Sequence, residues 1–368
     1  MSHSRLYSLD VFRGITVAAM ILVNNPGSWD RVYPPLLHAR WHGCTPTDLI
    51  FPFFLFIVGV SIHFAYQPKL SEGLTKKNLL KIIRRTVIIF LLGMMLALVP
   101  KFNFETVRIP GVLQRISVVF FFCSLIYFKT NWLSQIRLTI VLLLGYYILM
   151  TWIPVPGIGE ANLEPETNLG AWLDRLLLNG HLWSQSKTWD PEGILSTMPA
   201  IATGLLGVLT GQLFSKVEVP SEKVTWLFFV GALLIVVGLM WDLVFPINKA
   251  LWTSSYVLYT GGIAMQFLAA CYWLIDVQGI KKWSTPFIYY GMNAIFVFVA
   301  SGFLAKFLIR IKVGEGENET SLWSYIYQNL FASWLSPMNA SLGFAVTLIL
   351  FFLVILWQMY KRKIFVKV

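Results

Sequence analysis

LLHARWHGCTPTDLIFPFFLFIVG, residues 36–59, moves within a few positions from two histidines and an aspartate into an almost unbroken apolar run. A run that starts at Asp48 and continues to Tyr66 is long enough to cross about 30 Å of hydrocarbon, which takes roughly 20 residues of helix. Similar runs recur along the whole chain. Of its 368 residues 57% are hydrophobic and 13% charged, with a mean hydropathy of +0.66, whereas a soluble domain is about a quarter charged. The composition defines an all-α, polytopic integral membrane protein whose partner is the lipid bilayer. Ten spans are expected, at roughly 10–25, 48–66, 82–99, 112–128, 136–153, 194–214, 224–241, 254–275, 285–305 and 338–360, in a single domain over residues 1–368.

The first run carries Asp10 and Arg13 at its start and lacks a cleavage-site pattern, so it reads as a retained helix. Cys44, Cys123 and Cys271 form neither a disulfide framework nor a metal spacing, and no metal is expected. The net charge of +11 reports orientation and gives no reason to invoke nucleic acid. With the N-terminus inside, the inner segments hold 18 of the 29 basic residues and 5 of the 18 acidic ones. That bias places both termini in the cytoplasm and residues 36–48 on the outer face. The outer loops are the elaborate ones, at roughly 26–47, 154–193 and 306–337, the second with an amphipathic piece near residues 169–178.

Ionisable groups in or beside spans are costly and point to function. Asp10 and Arg13, three apart on a helix, can pair, while Asn24 and Asn25 close the first span ahead of Pro26 and Gly27. His38 and His42 supply imidazoles, the side chain that exchanges protons near neutrality. Their i, i+4 spacing does not make a metal pair, because Pro34, Pro35 and Gly43 oppose a regular helix. Asp48 stands where a carboxylate caps the second span. On the inner side, KKNLLKIIRRTVIIF (residues 76–90) sets Lys81, Arg84 and Arg85 where a phosphate-bearing ligand would meet them. Arg115 lies at the start of the fourth span and needs a partner. Asp190 and Glu192 in WDPEG, Lys249 in FPINKALWTSSYVL and Asn293 in YYGMNAIF exceed what an interfacial aromatic belt requires.

Taken in order, SLDVFRG (8–14), HARWHG (38–43) running into TDLIFPFFLFIVG, RIPGVLQRI (108–116), DPEG (190–193) and FPINKALWTSSYVL (245–258) resemble the transmembrane acetyltransferases related to heparan-α-glucosaminide N-acetyltransferase. The resemblance covers most of the chain. It implies an enzyme that takes acetyl from cytoplasmic acetyl-CoA, as co-substrate and without a metal, and delivers it across the membrane to the amine of a glucosamine acceptor. The family's His-x-x-Trp-x-Gly block selects His38, followed by Trp41 and Gly43, as catalytic base or acetyl carrier; Asn24 corresponds to the family's asparagine and is the candidate oxyanion donor. Arg13, Arg84, Arg85 and Arg115 become candidate contacts for CoA. Trp41, Asp48, Asp190, Glu192, Lys249 and Asn293 become candidates on the acceptor side. SLDVFRG begins almost at once, so the chain resembles the bare catalytic core of bacterial members, set in the inner membrane with His38 facing the periplasm.

Two other activities stay open at this level: O-acetylation of an envelope polysaccharide, and transport of a sugar or anion. Paired interrupted helices, expected of an inverted-repeat transporter, are not evident. Composition leaves the oligomeric state open, a homodimer being one option.

Overall fold

The computed structural model describes residues 6–316 and 319–366. Arg5, Glu317 and Lys367, which are among the charged residues counted above, lie outside them. Helix occupies all ten apolar runs: α1 (Tyr7–Asn24), α2 (Ile50–Tyr66), α3 (Lys76–Leu98), α4 (Val112–Lys129), α5 (Trp132–Trp152), α7 (Thr197–Lys216), α8 (Pro220–Asp242), α9 (Ser254–Tyr272), the pair α10 (Thr285–Met292) and α11 (Ala294–Arg310), and α13 (Pro337–Lys361). The amphipathic piece is the short α6 (Leu169–Leu178), and α12 (Leu322–Tyr327) sits in the last long loop. One two-residue pairing, Lys312–Val313 with Thr320–Ser321, is the only sheet among the described residues.

Eight of these helices are long and apolar enough to cross a membrane, or nine if the α10–α11 pair forms one span. α3, at 23 residues, has the length but carries Lys81, Arg84 and Arg85 in its first half. The run at 285–305 is not one continuous helix: α10 and α11 meet at 73°. Asn293 breaks it, with φ −123° and ψ 33°, and its amide is engaged elsewhere in the chain.

α2 packs along α7, α1 along α10, α3 along α4 and α8 along α9. Glycine makes the first two contacts close. A Cβ on Gly59 of α2 or Gly207 of α7 would collide with the carbonyl oxygens of Gly204 and Phe56, and one on Gly14 or Gly291 with those of Phe287 and Asp10. The α2–α7 pair is central and α8 peripheral: the apolar windows of α2 and α7 are 61% and 67% buried, that of α8 only 17%.

Helix polarity defines two ends. The chain near the end of α1 meets the start of α13 through Ser28 N–H and Ser341 Oγ, 3.1 Å apart. The far end of α13 meets Asn293 and so, through Gly291 and Asp10, the start of α1. These are called the His38 end and the Arg13 end.

Candidate active site

At the His38 end the loop before α2 is folded around one carboxylate. Thr45 opens a 3-10 turn, Pro46–Leu49, and forms a capping box with Asp48. Asp48 Oδ2 accepts from Thr45 N–H, Thr45 Oγ and Ala39 N–H, each at 3.0 Å, while Oδ1 takes His38 Nδ1 at 2.7 Å. The expected cap is therefore present, and the same carboxylate holds the imidazole. Asp48 is 1% exposed and the His38 side chain 48%. An ionised carboxylate can only accept, so Nδ1 carries the proton and neutral His38 presents the lone pair of Nε2.

A second loop closes over the first. Gly43 N–H donates to Ile247 C=O at 2.7 Å, and Gly43 bridges Asn248. This pairing brings Lys249 Nζ within 3.0 Å of His38 Nδ1, 3.2 Å of Nε2 and 3.6 Å of Asp48 Oδ1. Burial pulls the Lys249 ammonium below its ordinary pKa, and the charges of Asp48 and Glu192 oppose that pull. Cys44, between the two histidines and Asp48, is pushed up to about 12 by burial and by Asp48, so its thiol stays neutral. Trp252, fully buried, turns the second loop into α9 with φ +54°. Its indole N–H donates to Thr203 Oγ at 3.0 Å, and its ring packs on Phe51 and Tyr256. Tyr256 O–H in turn donates to the Asp48 carbonyl at 2.5 Å.

The WDPEG loop backs this cluster. Arg115 is buried and donates to Pro191 C=O at 3.0 Å, Gly193 C=O at 2.9 Å and Ser196 Oγ, with its guanidinium 5.2 Å from the Trp252 ring. Arg108 forks onto Asp190 at 2.8 and 2.5 Å and also contacts Glu192. Burial works against the Arg108 charge, yet the two carboxylates outweigh it and raise its pKa. Trp41 hangs between loops, donating to Leu163 C=O at 3.0 Å and meeting Trp189 edge-on at 5.2 Å.

Beneath the site runs a cavity of about 610 Å³. It starts one turn into α2 at Phe54, follows Ile57, Ser61 and Tyr66 toward the Arg13 end, and is walled on other sides by Leu113, Phe120 and Phe298. Arg13 and Arg85 line its lower part. Arg13 is paired to Asp10 at 3.2 Å and Ser61 Oγ at 2.8 Å. Arg85 lies 4.7 Å from the Phe120 ring, and its buried Nε has no hydrogen-bond partner among the described residues.

The structure thus brings His38, Asp48 and Lys249 into contact, with Trp41, Asp190 and Glu192 in the loops around them. Arg13 and Arg85 join at the cavity. Four expected residues fall elsewhere. Arg84 is exposed on α3 and does not line the cavity; Arg115 is spent on the WDPEG carbonyls. Asn24 is exposed at the end of α1, while Asn25 is buried and bonds Ile21 C=O at 2.9 Å. Asn293 lies at the opposite end from His38, bonded to the chain after α13. Residues that the sequence reading did not single out are Thr45, Asn248, Trp252 and Tyr256. The signal for the last three was their place in the FPINKALWTSSYVL block around Lys249.

These features define a polytopic helical membrane protein with an imidazole–carboxylate–ammonium cluster at one end and an apolar, arginine-bearing cavity below it. The family described as "Heparan-alpha-glucosaminide N-acetyltransferase, catalytic" matches residues 5–239, and the chain belongs to that family. It is similar to heparan-alpha-glucosaminide N-acetyltransferase of Mus musculus, 29% identical over 426 residues that cover 100% of this chain and 61% of the mouse protein. The Homo sapiens protein is 29% identical over 421 residues, covering 99% and 60%. The chain spans about three fifths of the length of these relatives.

Proposed function

We propose that the chain is a ten-span transmembrane N-acetyltransferase, both termini cytoplasmic, that moves acetyl from cytoplasmic acetyl-CoA to the amine of glucosamine or a glucosamine-ended saccharide on the periplasmic side. The observation that carries the reading is the His38–Asp48 pair, held at 2.7 Å above the cavity. Family membership supports the reaction class.

The cavity suits the donor in shape and chemistry. Its apolar walls accept a flexible arm, and Arg13 and Arg85 offer guanidinium groups toward the Arg13 end, where an anionic nucleotide head would stay. Acetyl-CoA supplies the activated acyl group as a thioester. His38 Nε2 takes a proton from the acceptor ammonium, and the freed amine attacks the acyl carbon. Asp48 keeps the ring in the tautomer that puts the lone pair on Nε2. As the tetrahedral adduct collapses, the imidazolium gives its proton to the departing thiolate; Nε2 then takes the second proton from nitrogen and releases it to solvent, so the products are an amide, a free thiol and one proton. Lys249 Nζ lies 3.2 Å from Nε2, beside a carbonyl attacked there, whereas Asn24 is exposed at the end of α1. It takes over the oxyanion role that the sequence reading gave Asn24.

Purified protein given labelled acetyl-CoA is expected to acetylate glucosamine and to leave N-acetylglucosamine untouched. His38→Ala should lower turnover by roughly 10²- to 10⁴-fold, the range for a positioned acid–base group, without changing the protein's melting temperature. Full activity in that variant sinks the site assignment. Acetylation of N-acetylglucosamine would move the reading to an O-acetyltransferase, and sugar accumulation in vesicles without acetyl-CoA consumption would move it to a transporter.

A further inference from the structure

At the Arg13 end the chain does not simply leave α13. Arg362 N–H bonds Gln358 C=O at 3.1 Å, Lys363 N–H bonds Tyr360 C=O at 3.0 Å and Ile364 N–H bonds Met359 C=O at 2.9 Å. Lys363 adopts φ +57°, a left-handed turn that folds the following residues back against the bundle. There a single buried side chain catches them. Asn293, 1% exposed, donates from Nδ2 to Ile364 C=O at 3.3 Å and accepts at Oδ1 from Val366 N–H at 2.9 Å. The amide holds a two-residue stretch of backbone at both edges, as a neighbouring β-strand would.

The clamp has a steep local cost–benefit balance. Ile364 and Val366 are 47% and 41% exposed, so burial alone does not hold this segment. With the segment removed, both polar ends of the buried Asn293 amide would lose their partners. Phe365, between the two clamped residues, is partly buried and packs near Tyr360, whose ring meets Tyr289. Phe365 and Val366 then line the same cavity as Arg13 and Arg85. Arg85, whose buried Nε has no hydrogen-bond partner among the described residues, lines the same cavity.

We infer that Phe365 and Val366 form the wall that closes the Arg13 end of the donor cavity, and that Asn293 is the positioning residue that holds this wall through the backbone of Ile364 and Val366. The inference rests on the donor reading proposed above. It gives the break at Asn293 a purpose: a continuous α10–α11 helix would spend the backbone geometry that turns this amide toward the segment after α13.

The test uses the full chain in detergent with Ala65→Cys, an exposed position on the cavity lining, and a charged methanethiosulfonate reagent. The parent without that substitution gives the background from the native cysteines. Asn293→Ala and Val366→Pro are compared; the second removes the N–H that Asn293 Oδ1 accepts and fixes φ at an exposed position while leaving the buried amide in place, so it guards against misfolding of the first. Val366→Pro should speed modification by about fivefold and raise the KM for acetyl-CoA by about as much, the scale of one lost hydrogen bond, and Asn293→Ala, which loses both bonds, by more, with the acceptor KM and kcat unmoved. Asn293→Asp, which keeps the acceptor for Val366 N–H, should recover part of the loss. Unchanged modification rates in both variants overturn the wall. Faster modification without any protection by acetyl-CoA supports the wall and overturns the donor assignment.

Discussion

Lys249 brings a cation within 3.0 Å of a histidine that is already bonded to a carboxylate. The same ammonium lies 3.6 Å from Asp48 Oδ1, so one cation faces both members of the pair. Lys249→Met is expected to lower kcat by roughly 10²- to 10³-fold, as loss of one oxyanion donor does, with smaller changes in either KM; Lys249→Arg should recover part of it. The pH dependence has a definite sign. Burial depresses the Lys249 pKa and Asp48 opposes that, so Asp48→Asn removes support for the ammonium and lowers the pKa further. The alkaline limb of kcat should therefore move to lower pH in Asp48→Asn, read from rate profiles of the two proteins. His38, Asp48 and Lys249 were each legible as candidates because each is an ionisable group at a span's edge. Their contact was not, since 211 positions separate His38 from Lys249 and long-range pairings such as Gly43 with Ile247 and Asn248 bring them together.

At the scale of elements, α2 has to present Asp48 at a fixed height, and its glycine contact with α7 sets that height. Gly207→Val places a Cβ on the Phe56 carbonyl, which is backbone and cannot step aside. The substitution should cost about 1–3 kcal/mol by overpacking, seen as a lower melting temperature in detergent together with lost activity. α6 carries a second testable feature. Asp174 accepts from Ile194 N–H at 2.9 Å and Asp190 N–H at 3.3 Å, and burial, with Asp190 adding to it, raises its pKa from 3.8 to about 6. The folded protein thus favours protonated Asp174. Its contribution to stability is complete below about pH 4 and is lost as pH rises through about 6. The melting temperature of the parent relative to Asp174→Asn should fall across that window, and a flat difference would show that the carboxyl is solvated. The ten apolar runs were readable because span length is fixed by hydrocarbon thickness. The break at 293 was not, because an apolar composition persists on both sides and only a distant partner turns the backbone there.

The whole molecule joins two ends with different chemistry. Lys77, Lys129, Lys216 and Lys281 fall at the Arg13 end through alternating helix polarity, as does the turn at residues 361–363. The histidine and the carboxylate-rich WDPEG loop lie at the other. The basic bias alone predicted which end faces the cytoplasm, but nothing in composition shows that a cavity connects toward the opposite side. The proposed direction has two separable consequences. An impermeant maleimide on intact cells should label Arg40→Cys and spare Lys77→Cys, both exposed positions; the reverse pattern inverts the topology. In sealed inside-out vesicles with glucosamine trapped in the lumen, acetyl-CoA added outside should yield N-acetylglucosamine inside, and His38→Ala should abolish it. Product that forms only when donor and acceptor share one side would mean that the cavity serves a single face, leaving an acetyltransferase embedded in the membrane but not working across it.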